Sequence, residues 1–145
     1  MLCVNKYPKQ HIQNCRARFS EYVAAYQKRS TAVSSGGAAV PAKSVAALKA
    51  FEAHYFNNLF LALDSHFTHR TRGLEKKDGN PLNEVRMLCS SLTNNGGVMS
   101  PDSTIKYVPS KSVLKYRVGV KIELTEPGFV CLCEAFLADI EAKFA

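Results

Sequence analysis

The apolar residues of this chain recur with a helical period in four segments and with a period of two in a fifth. This change of period limits the fold more than any other feature. The predicted helices span residues 8–29, 44–69, 80–92 and 125–144. Between the last two, Leu114–Leu124 alternates like a half-buried strand, and 104–108 is a weaker one. We predict an α+β fold, mostly helical, of about four helices with a small antiparallel sheet or hairpin between helices 3 and 4.

Two helix starts carry clear capping signals. Asn80 before Pro81 is typical of an N-cap followed by proline at the first helical position, and Glu84 falls in the first turn. Thr125 is a suitable N-cap for the last helix. Within the predicted strand, we expect the even-numbered residues of Leu114–Leu124 to share one buried face.

The length of the chain suits one globular domain. It has 145 residues, of which 46% are hydrophobic and 21% are charged. Residues 30–43 are rich in Ser, Gly and Ala, with a proline at position 41, which is typical of a flexible linker. We predict a single domain, 1–145, in which the N-terminal helix 8–29 is joined by the flexible linker 30–43 to the main body 44–145.

The positive charge is concentrated at the start of the chain. The formal net charge is +7, and residues 1–50 carry all of that excess, because the remainder holds equal numbers of bases and acids. Long-range attraction to a partner protein, to nucleic acid or to an anionic lipid surface would follow from such a segment. The alternative is an ordinary solvated helix face. The eight bases are Lys6, Lys9, Arg16, Arg18, Lys28, Arg29, Lys43 and Lys49, against one acid, Glu21.

The first helix carries an apolar stripe bracketed by basic residues. Such a stripe packs on the core of its own chain, on a partner or on a membrane surface. With a flexible linker behind it, we expect partner docking or self-association through Ile12, Phe19, Tyr22 and Tyr26.

No secretory signal or membrane span is expected. The most apolar stretch, 51–63, is interrupted by Glu52, His54, Asn57 and Asn58. We therefore predict a cytoplasmic protein whose five cysteines are thiols. The cysteines are Cys3, Cys15, Cys89, Cys131 and Cys133.

A candidate anion site lies around the helix start at Asn80. A helix N-terminus offers unpaired N–H groups and the positive end of the dipole, and arginine suits carboxylate or phosphate. The alternative is that Glu75, Asp78 and Glu84 neutralise the bases within an ordinary polar loop. The candidate ligand-binding residues are His69, Arg70, Arg72, Asn80, Asn83 and Arg86.

No motif predicts a metal or a cofactor. His66 and His69 are spaced i, i+3, but His66 falls in the middle of the apolar face, where a hydrogen-bonded core histidine is the better interpretation. No phosphate-binding loop, nucleophile motif or RNA-binding signature is present. We predict no catalytic residues, no metal and no cofactor, and leave open whether the protein is an enzyme.

Residues 56–92 and 104–144 resemble a family of small actinobacterial proteins of no known activity. The family often has His where this chain has Ser65, which weakens any case for a histidine cluster there. The resemblance implies the architecture and no function. It is carried by Leu63-Asp64, Phe67, His69-Arg70-Thr71-Arg72, Lys77-Asp78-Gly79-Asn80-Pro81-Leu82-Asn83-Glu84-Val85-Arg86 and Ile122-Glu123-Leu124-Thr125-Glu126.

The sequence favours a non-enzymatic, cytosolic binding protein with the basic N-terminal helix as its partner surface. The partner would be another protein or a second copy of the chain. One alternative is binding of an anionic small molecule, with or without catalysis, at the Arg70–Arg86 loop. The other is non-specific nucleic-acid binding, which draws only on the charge asymmetry.

Overall fold

Five α-helices and one short 3-10 turn form the structure. In this computed structural model, residues 3–34, 41–102 and 104–145 are described. Within those ranges the first helix extends five residues further than the sequence predicts, the second ends four residues earlier, and a one-turn helix precedes the third predicted one. The helices are α1 (Lys9–Ser34), α2 (Ala42–Ser65), α3 (Arg72–Glu75), α4 (Pro81–Asn94) and α5 (Glu126–Phe144), and the 3-10 turn is Pro109–Lys111.

Helix α5 is the centre of the core, because it contacts each of the other four helices. Its buried stripe follows the helical period of the sequence. Full burial of each large aromatic side chain stabilises the fold by about 1.5–3 kcal/mol. Seven phenylalanines are almost completely buried: Phe19, Phe56, Phe60, Phe67, Phe129, Phe136 and Phe144.

Both predicted N-caps are confirmed. The Asn80 side chain accepts a hydrogen bond from the Asn83 N–H at 3.0 Å, and the Thr125 hydroxyl accepts one from the Gly128 N–H at 3.2 Å. Each satisfies an N–H that the first helical turn would otherwise leave unpaired. These two caps fix where the chain enters α4 and α5.

The predicted α+β class is wrong, because the described residues contain no strand and no sheet. They show only two isolated bridges, Val4 with Arg70 and Val98 with Lys121. Around the second bridge, the Met99 N–H donates to Val120 at 2.9 Å and the Gly119 N–H donates back to Met99 at 3.0 Å. The Ile122 N–H also donates to the Gly97 carbonyl at 2.8 Å, but these bonds form no strand, so helices supply the whole of the regular structure described.

Backbone turns within the predicted strand explain the error. Lys115 has φ of 58° and Gly119 has φ of 85°, and neither value is compatible with an extended strand. The even-numbered residues therefore do not share a face: Ile122 and Leu124 are buried, whereas Val118 and Val120 are 55% and 43% exposed. The alternation of apolar and polar residues in this segment therefore does not come from a strand, because the chain turns at Lys115 and again at Gly119.

Glu84 holds the first of these turns. Its two carboxylate oxygens accept hydrogen bonds from the Val113 N–H at 2.7 Å and the Leu114 N–H at 2.9 Å. Burial raises the pKa of Glu84, and the two amides offset part of the rise. The sequence predicts this acid as a first-turn residue of its helix and as a neutraliser of nearby bases, but it anchors the segment 29 residues further on.

The predicted linker 30–43 is shorter than expected at both ends. Residues 30–34 continue α1, and residues 42–43 begin α2. Pro41 lies directly before α2, and residues 35–40 lie outside the described residues. The apolar stripe of α1 packs on the core of its own chain, since Ile12, Phe19 and Tyr26 are buried there.

Replacing Glu84 by glutamine tests the anchoring role. The Glu84→Gln amide NH₂ would face a backbone N–H, so one buried donor loses its acceptor, at a cost of about 1–3 kcal/mol. We expect this loss in urea unfolding. Glu123→Gln, at an exposed acid 3.6 Å from Lys121, should change stability by less than about 0.5 kcal/mol. Equal stability of the two variants would contradict the anchoring role.

Candidate functional site

The candidate anion loop contains a buried ion cluster centred on Glu75. One oxygen of its carboxylate accepts hydrogen bonds from Arg70 Nε and Arg86 Nη2, each at 2.5 Å. The Glu75 side chain is 1% exposed and that of Arg70 is 2% exposed. A single buried carboxylate therefore joins the two guanidinium groups that the sequence assigns to a ligand.

Arg70 has further partners besides Glu75. Its Nη1 donates to Asp64 at 3.0 Å and to the Phe67 carbonyl at 2.7 Å. Its guanidinium carbon lies 5.4 Å from the centre of the Phe136 ring, a cation–π distance. Burial lowers the pKa of Arg70, but Asp64 and Glu75 raise it by more, so the group stays charged.

Asn80 and Asn83 close the loop over Glu75. The Asn80 amide donates to the Glu75 carbonyl and to the Asp78 carboxylate at 2.6 Å. The amide of buried Asn83 donates to the Lys76 carbonyl at 3.3 Å. Three buried polar atoms have no hydrogen-bond partner among the described residues: Arg70 Nη2, Arg86 Nε and Asn83 Oδ1.

His69 and Arg72 do not join this cluster. Both side chains are exposed. Arg72 lies on α3, and its charge contributes to the lowered pKa of exposed Asp102, after the hydrogen bonds from Thr104. The backbone of His69, at φ of 60°, accepts a hydrogen bond from the Val4 N–H at 2.7 Å.

The sequence interpretation considered Glu75 as a neutralising acid but did not find the rest of the cluster. Lys143, near the end of α5, donates to the Glu75 carbonyl at 3.2 Å and to Asp139 at 2.9 Å. Asp64 precedes Arg70 by six residues, and Lys143 follows Glu75 by 68. Local spacing could not indicate the second of these contacts.

Anion binding at this loop stays a prediction, with a defined obstacle. An incoming phosphate or carboxylate would compete with Glu75 for Arg70 and Arg86, which are already paired and largely desolvated. The Asn80 side chain already caps Asn83 N–H. The arrangement resembles a structural ion cluster more than a vacant ligand site.

A second candidate surface lies on the outside of α1 and α2. Tyr26, Phe51 and Tyr55 stack on one another, with ring centres 5.6–6.3 Å apart. The Tyr55 hydroxyl donates to the Tyr22 carbonyl at 2.8 Å. Phe51 is nevertheless 46% exposed, and Val45, two turns earlier on α2, is 54% exposed. Large apolar side chains this exposed are candidates for contact with a partner.

His66 directly follows α2, and its half-buried side chain packs towards the core. Its Nδ1 is 2.7 Å from the Ala62 carbonyl, and its ring packs edge-on against Phe19 at 5.5 Å. No group of three or more His, Cys, Asp or Glu residues in the described ranges could hold a metal ion. Burial raises the pKa of Cys15 to about 11 and of Cys133 to about 12, so both thiols stay protonated near neutral pH.

None of the helices described has the length and apolarity needed to cross a membrane. The long helices are interrupted by charged and amide side chains. Helix α1 alone carries Lys9, Arg16, Arg18, Lys28 and Arg29. Placing such charges in hydrocarbon would cost several kcal/mol.

Removing the Glu75 carboxylate should destabilise the protein strongly. Glu75→Ala leaves Arg70 buried without its closest counter-ion, which costs about 3–5 kcal/mol. Glu141→Ala is the matched control, because Glu141 is 42% exposed and lies 3.6 Å from Arg16; it should cost less than about 1 kcal/mol. Chemical unfolding curves of both variants measure the difference, and similar midpoints would show that the cluster contributes little.

Lys76, which follows Glu75, is strained. Its φ of 61° and ψ of 170° lie in a region that is essentially restricted to glycine. Lys76→Gly should therefore raise the free energy of unfolding by about 1 kcal/mol. Lys77→Gly adds the same chain flexibility without relieving a positive φ, so it should be neutral or destabilising. A Lys76→Gly variant less stable than Lys77→Gly would contradict the strain.

Comparison of the chain with known proteins adds no family to these observations. No family model matches it, and neither a curated protein nor a solved structure matches it significantly. The resemblance to small actinobacterial proteins, carried largely by the residues around the Glu75 cluster, stays a prediction. Function is therefore argued from the geometry and charges of this chain.

Proposed function

We propose that this protein is a cytosolic, non-enzymatic binding protein that recognises an acidic partner protein. Its recognition surface, called the α1–α2 surface below, combines exposed bases with exposed apolar side chains. The bases are Arg18, Lys28 and Arg29 on α1 and Lys43 on α2; the apolar residues are Val45, Phe51 and the half-buried Tyr22 and Tyr55.

The observation that carries the proposal is the lack of internal partners for these bases. Of the eight basic residues in positions 1–50, only Arg16 forms an ion pair within the described residues, with Glu134 and Glu141 at 3.6 Å. The other seven are exposed. Unpaired charges of one sign raise the local concentration of an oppositely charged partner.

Acids are few in this part of the chain: Glu21 on α1 is exposed, and half-buried Glu52 on α2 accepts a hydrogen bond from the Glu126 N–H at 3.2 Å. None occurs from position 22 to position 51, whereas α5 holds four acids and one base. Several acids are engaged inside the protein: Glu75 and Asp64 with Arg70, and Glu84 with backbone amides. The α1–α2 surface thus keeps its charge in the folded protein.

The two other functions that the sequence allows have less support. An anionic small molecule at residues 70–86 would compete with Glu75 for both guanidinium groups. Nucleic acid would be attracted by charge, but it offers no counterpart for the exposed apolar side chains Val45 and Phe51. A protein partner uses both kinds of contact.

Charge-neutral variants on two surfaces test the proposal. The α1 variant is Arg18→Gln/Lys28→Gln/Arg29→Gln, and the matched control is Lys106→Gln/Lys115→Gln/Arg117→Gln in the exposed 104–121 segment. Both remove three positive charges. Each is bound to immobilised poly-glutamate and eluted with a salt gradient. We expect the α1 variant to elute at a clearly lower salt concentration than the control.

Equal elution shifts would mean that only net charge matters and would overturn the proposal. The same variants are also titrated with duplex DNA. If the wild type binds DNA more tightly than poly-glutamate at about 150 mM salt, and the α1 variant loses that binding, nucleic acid is the partner instead.

A further inference from the structure

We propose that the groove between α1 and α2 accepts an acidic amphipathic helix of the partner protein. This inference rests on the function proposed above and specifies the partner's form. The groove has a volume of about 480 Å³. Its apolar wall is formed by Tyr22 of α1 and by Phe51, Tyr55, Leu59 and Ala62 of α2, and His54 and Asn58 line its polar edge.

The apolar wall has the length and spacing of a helix-binding groove. Phe51, Tyr55, Leu59 and Ala62 follow one another at intervals of four, four and three residues, so they lie along one side of α2. From first to last they cover about 16 Å, or three helical turns. A bound helix places side chains at i, i+3, i+4 and i+7 over about 10 Å, so the row is long enough to receive that pattern.

The groove is held open by contacts within the protein. Phe51 stacks on Tyr55 and Tyr26, and the Tyr55 hydroxyl is bound to the Tyr22 carbonyl. These contacts fix the aromatic rings before any partner arrives. A groove formed in advance loses little conformational entropy on binding.

Positive charge borders the groove on the α1 side. Arg18 precedes Tyr22 by one turn and Arg29 follows it by two, so all three residues lie on the same side of α1. Both arginines are exposed, and neither forms an ion pair within the described residues. Acidic side chains flanking the apolar face of a bound helix would lie next to them.

The shape of the groove favours a helix over a lipid surface. Phe51 is exposed, and Tyr22, Tyr55, Leu59 and Ala62 are half-buried beside it. This narrow row, about 16 Å long, matches the apolar face of a helix, whereas a bilayer needs a helix face that is exposed along its whole length. A second copy of this chain is a poorer occupant, because the apolar stripe of its acidic α5 is buried in its own core.

Two synthetic amphipathic peptides test the inference. Both are about 18 residues long and carry leucines at i, i+3, i+4 and i+7; one has glutamates on its polar face and the other lysines. Fluorescence anisotropy is measured with the intact protein at about 150 mM salt. We expect the acidic peptide to bind at least about tenfold more tightly than the basic one.

Variants on and off the groove supply the controls. Phe51→Ser should weaken the acidic peptide about tenfold or more, whereas Val118→Ser, at another exposed apolar residue, should not change it. His54→Glu alters an exposed rim residue and leaves the aromatic stack intact; it should weaken the acidic peptide and strengthen the basic one. Thermal unfolding checks that each variant is folded.

If His54→Glu and Phe51→Ser are both folded and both bind the acidic peptide as tightly as the wild type does, the groove inference is overturned. Phe51-dependent binding to phosphatidylserine vesicles, or Phe51-dependent dimers in sedimentation, without peptide binding would also overturn it. If the poly-glutamate experiment still separates the α1 variant from its control, the proposed function stands and only the helix-binding groove fails. If that experiment fails as well, both proposals are wrong.

Discussion

The buried carboxylate of Glu75 is the interaction on which the arrangement of the helices depends. It lies at the end of α3 and binds Arg86 of α4 as well as Arg70, which in turn contacts Asp64 of α2 and the Phe136 ring of α5. The backbone of Arg70 is also bridged to Val4, just before α1. Removing one charge would leave others buried and unpaired, so the cluster is a constraint on all five described helices.

The parts of the fold that local chemistry determines could be predicted from the sequence. The helical period located α1, α2, α4 and α5, and Asn80 and Thr125 marked two helix starts that the structure confirms. That residues 114–124 form no strand could not be predicted from the sequence, because it depends on a residue distant in the chain. Glu84 binds the amides of Val113 and Leu114, and alternation in the sequence does not register that contact.

The candidate site shows the same division. The sequence draws attention to the bases around Asn80 and offers Glu75, Asp78 and Glu84 as acids that would neutralise them. It could not show that Arg70 would be buried, that Lys143 would arrive from α5, or that Arg72 and His69 would remain outside the cluster. Charged residues that are close in sequence differ here in whether their side chains point into the core. Tertiary packing alone determines this direction.

Stability and recognition use different sides of α2. Asp64, near the C-terminal end, faces the Glu75 cluster and points about 140–180° away from the groove residues Phe51, Tyr55, Leu59 and Ala62 at ~100° per residue. Phe51 lies 13 residues before Asp64, about 20 Å away along the helix axis. Substitutions that far apart, with no shared partners, act almost independently on the free energy of unfolding. Because the acids near the cluster are neutralised internally while the bases of α1 other than Arg16 are not, the protein can keep a rigid, charge-balanced core on one side of α2 and an uncompensated basic surface on the other. Recognition at the groove therefore places no demand on the ion cluster that holds the helices together.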